Sequence, residues 1–191
     1  MRPRKGLFIE RRCLHDRAIP RRPPRRSDFS FPGRLIEGLR EAQRAGLVLF
    51  VISNEEEVAL GQVSPEAFAR YASALTRALA ARGVTLSKVY HCPFLPEGKG
   101  PFRRDSVHRL PNVGMMMAAR HQFGVDPTES WLAGATTVAL LAGSRAGCLT
   151  ARVGAAPPPE EVTYSAEPDL VVPDLAAAVL AIVGHEMALT R

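Results

Sequence analysis

Charged residues directly follow a short apolar run near the start of the sequence. The run 6–9 reads GLFI, and Glu10, Arg11, Arg12 and Cys13 come next. Continuous apolar runs are typical of strands in parallel sheets, and α/β proteins bind ligands at the carboxyl ends of such strands. In an extended chain, Glu10 and Arg12 would project to the same side. The pair therefore indicates an active site, or the remains of one, at the end of a first strand.

Apolar and polar residues follow each other in blocks that predict strands and helices in turn. Strands are predicted over residues 5–10, 47–53, 86–91, 130–135, 148–153 and 169–172. Helices are predicted over residues 33–45, 64–82, 112–123 and 137–146, and a last helix begins after Asp174. Ser64, Asn112 and Asp174 are suitable residues for capping three of these helices. The alternation predicts an α/β fold with a doubly wound parallel sheet, and 191 residues fit a single domain.

Composition and cysteine usage are those of an ordinary intracellular globule. The chain is 46% hydrophobic and 23% charged. No apolar run approaches the ~18 residues of a membrane span, and the first run is too short for a secretory signal. Cys13, Cys92 and Cys148 lie far apart, as free thiols in a reducing compartment do. We therefore expect a cytoplasmic protein that does not engage membranes.

Positive charge is concentrated at one end of the chain. Residues 1–26 hold ten Lys and Arg against two acids, a net charge of +8, so the remainder carries −2 of the total +6. Within the loop predicted at 17–28, eight of the ten residues 17–26 are Arg or Pro. A solvated charge run is the usual explanation, but this density favours an anionic or protein partner. The candidate contacts are Arg21, Arg22, Arg25 and Arg26. Nucleic acid is a weaker alternative, because no aromatic residues interleave with the arginines.

Several strings in the sequence resemble one known family over about residues 5–183. They are FPGRLIEGLREAQRAGLVLFVISN, YHCPFLPEG, RLPNVGMMMAA and AGSRAGC. The chain resembles the haloacid dehalogenase (HAD) phosphatase superfamily. Within it, the chain is similar to the branch of D-glycero-D-manno-heptose 1,7-bisphosphate phosphatases and histidinol phosphatases. The resemblance implies a HAD-like, Rossmann-type sheet without a large cap domain.

The resemblance also assigns roles to the first strand end, and this chain departs from them. Relatives carry a nucleophilic Asp, and a second Asp two residues later acts as acid and base. The matching positions here are Glu10 and Arg12. Glu10 is one methylene longer than Asp, and a guanidinium cannot exchange a proton near neutral pH. Cys13 stands where relatives have a glycine.

The phosphate-binding motifs of the family are partly retained. Ser53 and Asn54 match the Thr/Ser-Asn pair that contacts a phosphoryl oxygen, and Arg109 matches a motif arginine. These three residues are therefore candidate phosphate ligands. The lysine that follows the arginine in relatives is replaced by Leu110.

Both metal sites that the resemblance implies are degenerate in this chain. Ala135 and Ala139 replace the carboxylates that hold Mg²⁺ in relatives. Some relatives also hold structural zinc in the loop that corresponds to 92–111. The matching positions are Cys92, Phe94, Ser106 and His108. Two potential ligands are too few for a closed zinc site, and His91 would face the other side of its strand. We therefore expect no metal cofactor.

Two functions follow from these departures. The first is a catalytically inactive HAD-fold protein, a pseudophosphatase with a binding, regulatory or scaffold role. The alternative is a weakly active or rerouted HAD phosphatase that acts on a sugar phosphate such as heptose bisphosphate. The sequence also suggests a structural hypothesis, in which the guanidinium of Arg12 lies in or near the old metal site and pairs with Glu10, directly or through water.

Overall fold

The computed structural model describes residues 3–15, 17–20, 22–155 and 166–189. Its strands are β1 Gly6–Glu10, β2 Val48–Asn54, β3 Leu86–Cys92, β4 Trp131–Gly134, β5 Leu149–Val153 and β6 Leu170–Val172. Its α-helices are α1 Arg11–Leu14, α2 Gly33–Arg44, α3 Glu56–Ala59, α4 Pro65–Ala80, α5 Gly114–Phe123, α6 Thr137–Ala146 and α7 Leu175–Ala188. The six strands form one parallel sheet in the order β3-β2-β1-β4-β5-β6. The predicted fold class is confirmed.

The central strands of the sheet are covered on both faces, which is why β1 and β2 are mostly apolar. β1 is buried along its whole length. On one face, α2, α4 and α7 pack over residues such as Leu7 and Val51. On the other face, α5 and α6 cover Phe8 and Phe50, whose rings stack 5.0 Å apart. The central strands therefore present mainly their ends to solvent, whereas the edge strands β3 and β6 are partly exposed along their length.

Local sequence signals fix most helix ends. The side chains of Ser64, Thr136 and Asp174 each accept a hydrogen bond from the backbone N–H three residues on, which caps α4, α6 and α7. The predictions for Ser64 and Asp174 are confirmed. α6 ends at Gly147, whose φ of 85° lies in the left-handed region.

The start of α5 differs from the prediction. Its N-cap is Val113, and Asn112 instead donates from Nδ2 to the carbonyl of Ser106 at 3.0 Å. The loop folds back so closely that a Cβ on Gly114 would lie 2.3 Å from the carbonyl oxygen of Val107. The folded-back loop, and not a local cap, therefore sets where α5 begins.

Two further findings concern the helices. The short helices α1 and α3 directly follow β1 and β2, where the sequence predicted no helix. Among the described helices, none has both the length and the apolar character that crossing a bilayer requires.

Candidate functional site

The carboxyl ends of β1, β2 and β4 surround a cleft of about 230 Å³, here called the strand-end pocket. The chain runs through β2 and β3 on one side of β1 and returns to β4 on the other. The point where the strand order reverses is the place where doubly wound proteins bind ligands. The pocket is lined by Glu10, Arg11, Arg12, Ser53, Asn54, Glu55, Glu56, Glu57, Leu110, Thr136 and Val138.

Glu10 ends β1, and its carboxylate is fully engaged. Oε2 accepts hydrogen bonds from the backbone N–H groups of Ala135 at 2.7 Å and Thr136 at 2.9 Å. Oε1 accepts from the Thr136 hydroxyl at 2.8 Å. A Cβ on Gly134 would lie 3.3 Å from Oε2, so the glycine leaves room for this carboxylate. The donors stand at the N-terminus of α6, where a negative charge is stabilised.

Arg12 does not pair with Glu10. Its side chain is exposed, and no ion pair within 4 Å joins it to Glu10 in the described structure. The expectation assumed an extended chain after Glu10, but α1 begins at Arg11 and turns the backbone there. The predicted direct pairing of Arg12 with Glu10 is therefore wrong. The hypothesis expected a cation to stabilise the Glu10 carboxylate. Hydrogen-bond donors from Ala135 and Thr136 stabilise it instead.

The neighbouring arginine makes the buried ion pair that the sequence did not reveal. Arg11 donates from Nε to Oε1 of Glu55 at 2.8 Å, and the Glu55 side chain is only 1% exposed. The Arg11 guanidinium also lies 5.7 Å from the centre of the Tyr71 ring. Burial raises the pKa of the Glu55 carboxyl, and the charge of Arg11 opposes that rise. An acid directly after a buried strand was the only signal of this pair in the sequence.

Of the three candidate phosphate ligands, Ser53 has the polar atom least used within the fold. Ser53 is 4% exposed, and its Oγ makes no ideal hydrogen bond in the described structure, although it lies close enough to the Glu55 carboxylate to lower the pKa of that group. Asn54 is committed to the backbone of Leu110, with Nδ2 donating to its carbonyl at 3.0 Å and Oδ1 accepting from its N–H at 2.9 Å. Arg109 pairs with Oε1 of Glu56 at 2.5 Å. The structure thus uses Asn54 and Arg109 to hold the pocket wall.

The residues of the pocket do not fit a Mg²⁺ ion of the family type. Ala135 and Ala139 provide no side-chain donor at the matching positions, and the Glu10 carboxylate is turned toward amide groups. Leu110 is buried at 3% exposure in place of a phosphate-binding lysine. Across the described ranges, no group of three or more His, Cys, Asp or Glu side chains is arranged to hold a metal ion.

The loop that corresponds to the zinc loop is held by other contacts. Cys92 is buried, with Sγ 3.8 Å from the carbonyl oxygen of Phe94. The guanidinium of Arg104 lies 3.9 Å from the centre of the Phe94 ring, a cation–π contact. Ser106 accepts from the backbone N–H of His108, whose own side chain is exposed. An aromatic ring and an arginine thus stabilise the loop where relatives use metal.

Cys92 and Cys148 are free thiols, as predicted. Cys92 and Cys148 are buried, whereas Cys13 is partly exposed. Burial raises the pKa of the Cys148 thiol to about 12. Cys148 is therefore inert at neutral pH.

The basic loop is partly neutralised from within. Arg22 donates to both oxygens of Asp28, at 2.9 and 2.6 Å, and the N–H of Arg25 donates to Asp28 at 2.7 Å. The hydrogen bonds from Arg22 lower the pKa of Asp28 to about 2. Arg22 is thus engaged by an acid of the same loop. Arg21 and the side chain of Arg26 lie outside the described residues.

Comparison with known proteins identifies the class of this fold and pocket. No protein-family model matches the chain. A D-glycero-beta-D-manno-heptose-1,7-bisphosphate 7-phosphatase from Haemophilus influenzae is 33% identical over 116 residues, which cover 61% of this chain and 63% of the relative. The namesake enzyme from Haemophilus ducreyi is 31% identical over 124 residues, covering 64% of this chain and 68% of the relative. The chain thus matches a little less than two thirds of the first relative's length.

Solved structures show the same fold. A Mesorhizobium loti protein named as a HAD-like phosphatase superposes with a TM-score of 0.77 at 23% identity, covering 96% of this chain and 88% of the other. The D,D-heptose 1,7-bisphosphate phosphatase of B. bronchiseptica, solved with magnesium and phosphate, superposes with a TM-score of 0.74 at 20% identity, covering 95% and 99%. The chain belongs to the family of D-glycero-manno-heptose-1,7-bisphosphate 7-phosphatases, and its fold is the HAD-like fold of these solved structures.

Proposed function

We propose that this protein is a catalytically silent member of the phosphatase family that binds a phosphorylated ligand in the strand-end pocket. The observation that carries the proposal is the engagement of Glu10. Three donors hold both oxygens of its carboxylate at the start of α6. Attack on phosphorus by Glu10 would compete with those hydrogen bonds.

The other positions of the pocket support the same conclusion. A phosphomonoester hydrolase of this family needs an acid that can release and take up a proton, and Arg12 cannot do so near neutral pH. It also needs positive charge beside the transferred phosphoryl group. Leu110 and Ala135 stand where a lysine and a metal carboxylate would help to provide it. The pocket thus lacks both the group that would transfer a proton and the groups that would stabilise the phosphoryl charge.

Ligand binding is supported by two polar groups of the pocket. Ser53 Oγ is buried and lines the pocket, where it lies beside the Glu55 carboxylate without an ideal hydrogen bond. Arg12 also lines the pocket, and no described carboxylate lies within 4 Å of its guanidinium. A guanidinium is a strong donor to phosphate oxygens. Of the four glutamates in the lining, Glu55 pairs with Arg11 and Glu56 with Arg109, so a bound phosphate relies on Arg12 against the charges of Glu10 and Glu57.

A second candidate function is a weakly active or rerouted phosphatase acting on heptose bisphosphate or a similar sugar phosphate. The relatives described above carry the names of heptose bisphosphate phosphatases. The comparisons therefore support phosphatase activity better than they support its loss. The geometry of the pocket favours the first candidate, a family member without phosphatase activity.

Activity assays separate the two candidates. The protein would be incubated with heptose bisphosphate, histidinol phosphate and p-nitrophenyl phosphate, each with and without Mg²⁺. We expect no hydrolysis in any of these assays. Turnover above about 1 s⁻¹, the lower end for ordinary enzymes, would establish the second candidate if Glu10→Ala abolishes it.

Elemental analysis of the purified protein tests the metal sites. It should show neither stoichiometric zinc nor magnesium, and one zinc per chain that is lost on Cys92→Ser would contradict that.

Calorimetric titration with inorganic phosphate tests the ligand. Ser53→Ala should weaken phosphate binding, whereas Ser144→Ala, on the exposed face of α6, should leave it unchanged. Equal affinity in all three proteins would show that the Ser53 hydroxyl is not a phosphate ligand.

A further inference from the structure

A groove lies between residues 24–29 and one face of α4. It shares no lining residue with the strand-end pocket. Its volume is about 230 Å³, and it is here called the Phe29 groove. Its lining residues are Pro24, Arg25, Phe29, Ala74, Arg77, Ala78 and Ala81. The floor is apolar, since an aromatic ring faces a row of alanines. The rim carries two arginines and no acid.

Contacts beneath the groove hold its wall in place. The ring of Phe29 lies 5.2 Å from that of His15 and 5.6 Å from that of Tyr71, between ring centres. His15 is buried, with Nε2 2.8 Å from the carbonyl oxygen of Asp28 and Nδ1 2.9 Å from the Tyr71 hydroxyl. Asp28 in turn closes the loop through Arg22. The groove is therefore formed before any ligand arrives, which lowers the entropic cost of binding.

Charge at the rim is positive, and neither arginine side chain forms an ion pair within the described structure. The side chains of Arg25 and Arg77 have no carboxylate within 4 Å among the described residues. Arg77 donates to the hydroxyl of Ser73 at 2.6 Å, which orients its guanidinium without neutralising it. The nearby acid, Asp28, pairs with Arg22 and attracts Arg25 only at longer range. An occupant that matches this groove is therefore apolar in the middle and negative at its ends.

We propose that the Phe29 groove binds an acidic segment of a partner protein. One large apolar side chain of the segment fills the floor between Phe29 and Ala78, and carboxylates on either side pair with Arg25 and Arg77. Buried apolar anchors with arginine at the rim are the usual composition of the centre of a protein interface. An inorganic anion would leave the apolar floor empty. The proposal is independent of the ligand of the strand-end pocket.

A labelled peptide provides the test. The probe is a fluorescein-labelled peptide of sequence DELFED, and its binding to the full-length protein is followed by fluorescence anisotropy. We expect saturable binding that falls at least about tenfold with either Arg25→Glu or Arg77→Glu, because each reversal replaces an attraction with a like-charge contact. The matched control is Arg120→Glu, an exposed arginine on α5 at the opposite face of the sheet, which should bind as the unmodified protein does.

Two further peptides test the apolar anchor and the negative charge of the occupant separately. Peptide DEGGED lacks the apolar anchor and KKLFKK reverses the charge, and both should bind at least about tenfold more weakly than DELFED. No saturation by DELFED below about 1 mM would overturn the proposal. So would an affinity unchanged by the double substitution of Arg25 and Arg77. A single-stranded DNA oligonucleotide that binds more tightly than DELFED, and is lost with the same two variants, would assign the groove to nucleic acid instead.

Discussion

One methylene changes what a carboxylate at position 10 can reach. The carboxylate of Glu10 reaches past Gly134 to the amides of Ala135 and Thr136, which directly precede α6. An Asp here would be one methylene shorter. Without an acceptor in this place, both amides would lose these hydrogen bonds. The residue that looks like a nucleophile in the sequence is, in the structure, the anion that satisfies them.

The stability of Glu10 variants tests this role. Glu10→Ala would leave two buried amides and the Thr136 hydroxyl without their acceptor, so we expect a loss of about 3 kcal/mol in the free energy of unfolding. Glu10→Gln keeps an acceptor oxygen and should lose less. Urea unfolding measures both, with Glu37→Ala on the exposed face of α2 as the control, expected within about 0.5 kcal/mol of the unmodified protein. A Glu10→Ala protein as stable as the control would show that the hydrogen bonds contribute nothing.

At the scale of an element, α6 differs from α4 in how its cap is used. Ser64 accepts the N–H of Ala67 at 3.1 Å, and its hydroxyl also lies beside the Glu66 carboxylate in the same turn. Thr136 accepts the N–H of Ala139 at 3.3 Å and also donates to Glu10. The N-terminus of α6 is thus tied to β1, while the cap of α4 contacts residues of its own first turn.

This difference predicts unequal costs for two similar substitutions. Ser64→Ala should lower the free energy of unfolding by about 1 kcal/mol, the usual value for a lost cap. Thr136→Ala should cost about 2–3 kcal/mol, because the hydrogen bond to a buried carboxylate is lost as well. Chemical denaturation of the two variants side by side gives the comparison, and equal losses would contradict the proposed tie to β1.

The basic loop has its own pH dependence. The pKa of Asp28 is lowered to about 2, chiefly by the hydrogen bonds from Arg22. Because the pKa of its carboxyl is lowered, ionised Asp28 stabilises the folded loop at pH values above the ordinary carboxyl pKa of 3.8. That stabilisation is lost as the pH falls toward about 2. NMR titration of the Asp28 carboxyl should show this pKa, and Arg22→Gln should raise it. The lowered pKa of Asp126, which depends on hydrogen bonds from Thr128, should not move in that variant.

For the whole molecule, local patterns predicted the fold but not the pairs that join distant segments. The helix predicted over 137–146 and the cap at Asp174 agree with the structure, because both depend on neighbours within one turn. The Arg11–Glu55 pair joins residues 44 positions apart, and no local pattern encodes it. The error about Arg12 arose at a boundary between strand and helix, where one residue changes the direction of a side chain. The single-domain organisation stays a prediction.

Unfolding experiments test that organisation. Trp131, the one tryptophan of the chain, lies on β4 and donates to Glu186 of α7 at 3.2 Å, and Lys5 donates to Glu186 at 2.6 Å. This cluster joins residues from both ends of the described chain. Tryptophan fluorescence and far-UV circular dichroism should therefore report one coincident transition in urea. Two separate midpoints would show that the chain contains more than one cooperative unit.

The position of β1 in the sheet also determines when, during synthesis on the ribosome, all of its hydrogen-bond partners are present. β1 precedes its neighbours β2 and β4 in the chain, yet it lies between them in the sheet, and the donors of Glu10 belong to residues 135–136. At about 5–20 residues per second, the interval between the synthesis of Glu10 and of those donors is roughly 6–25 s. Throughout that time one edge of this buried strand has no partner, and such edges pair wrongly or aggregate. The nascent chain is therefore exposed to misfolding along β1 until β4 and the donors of Glu10 have been made.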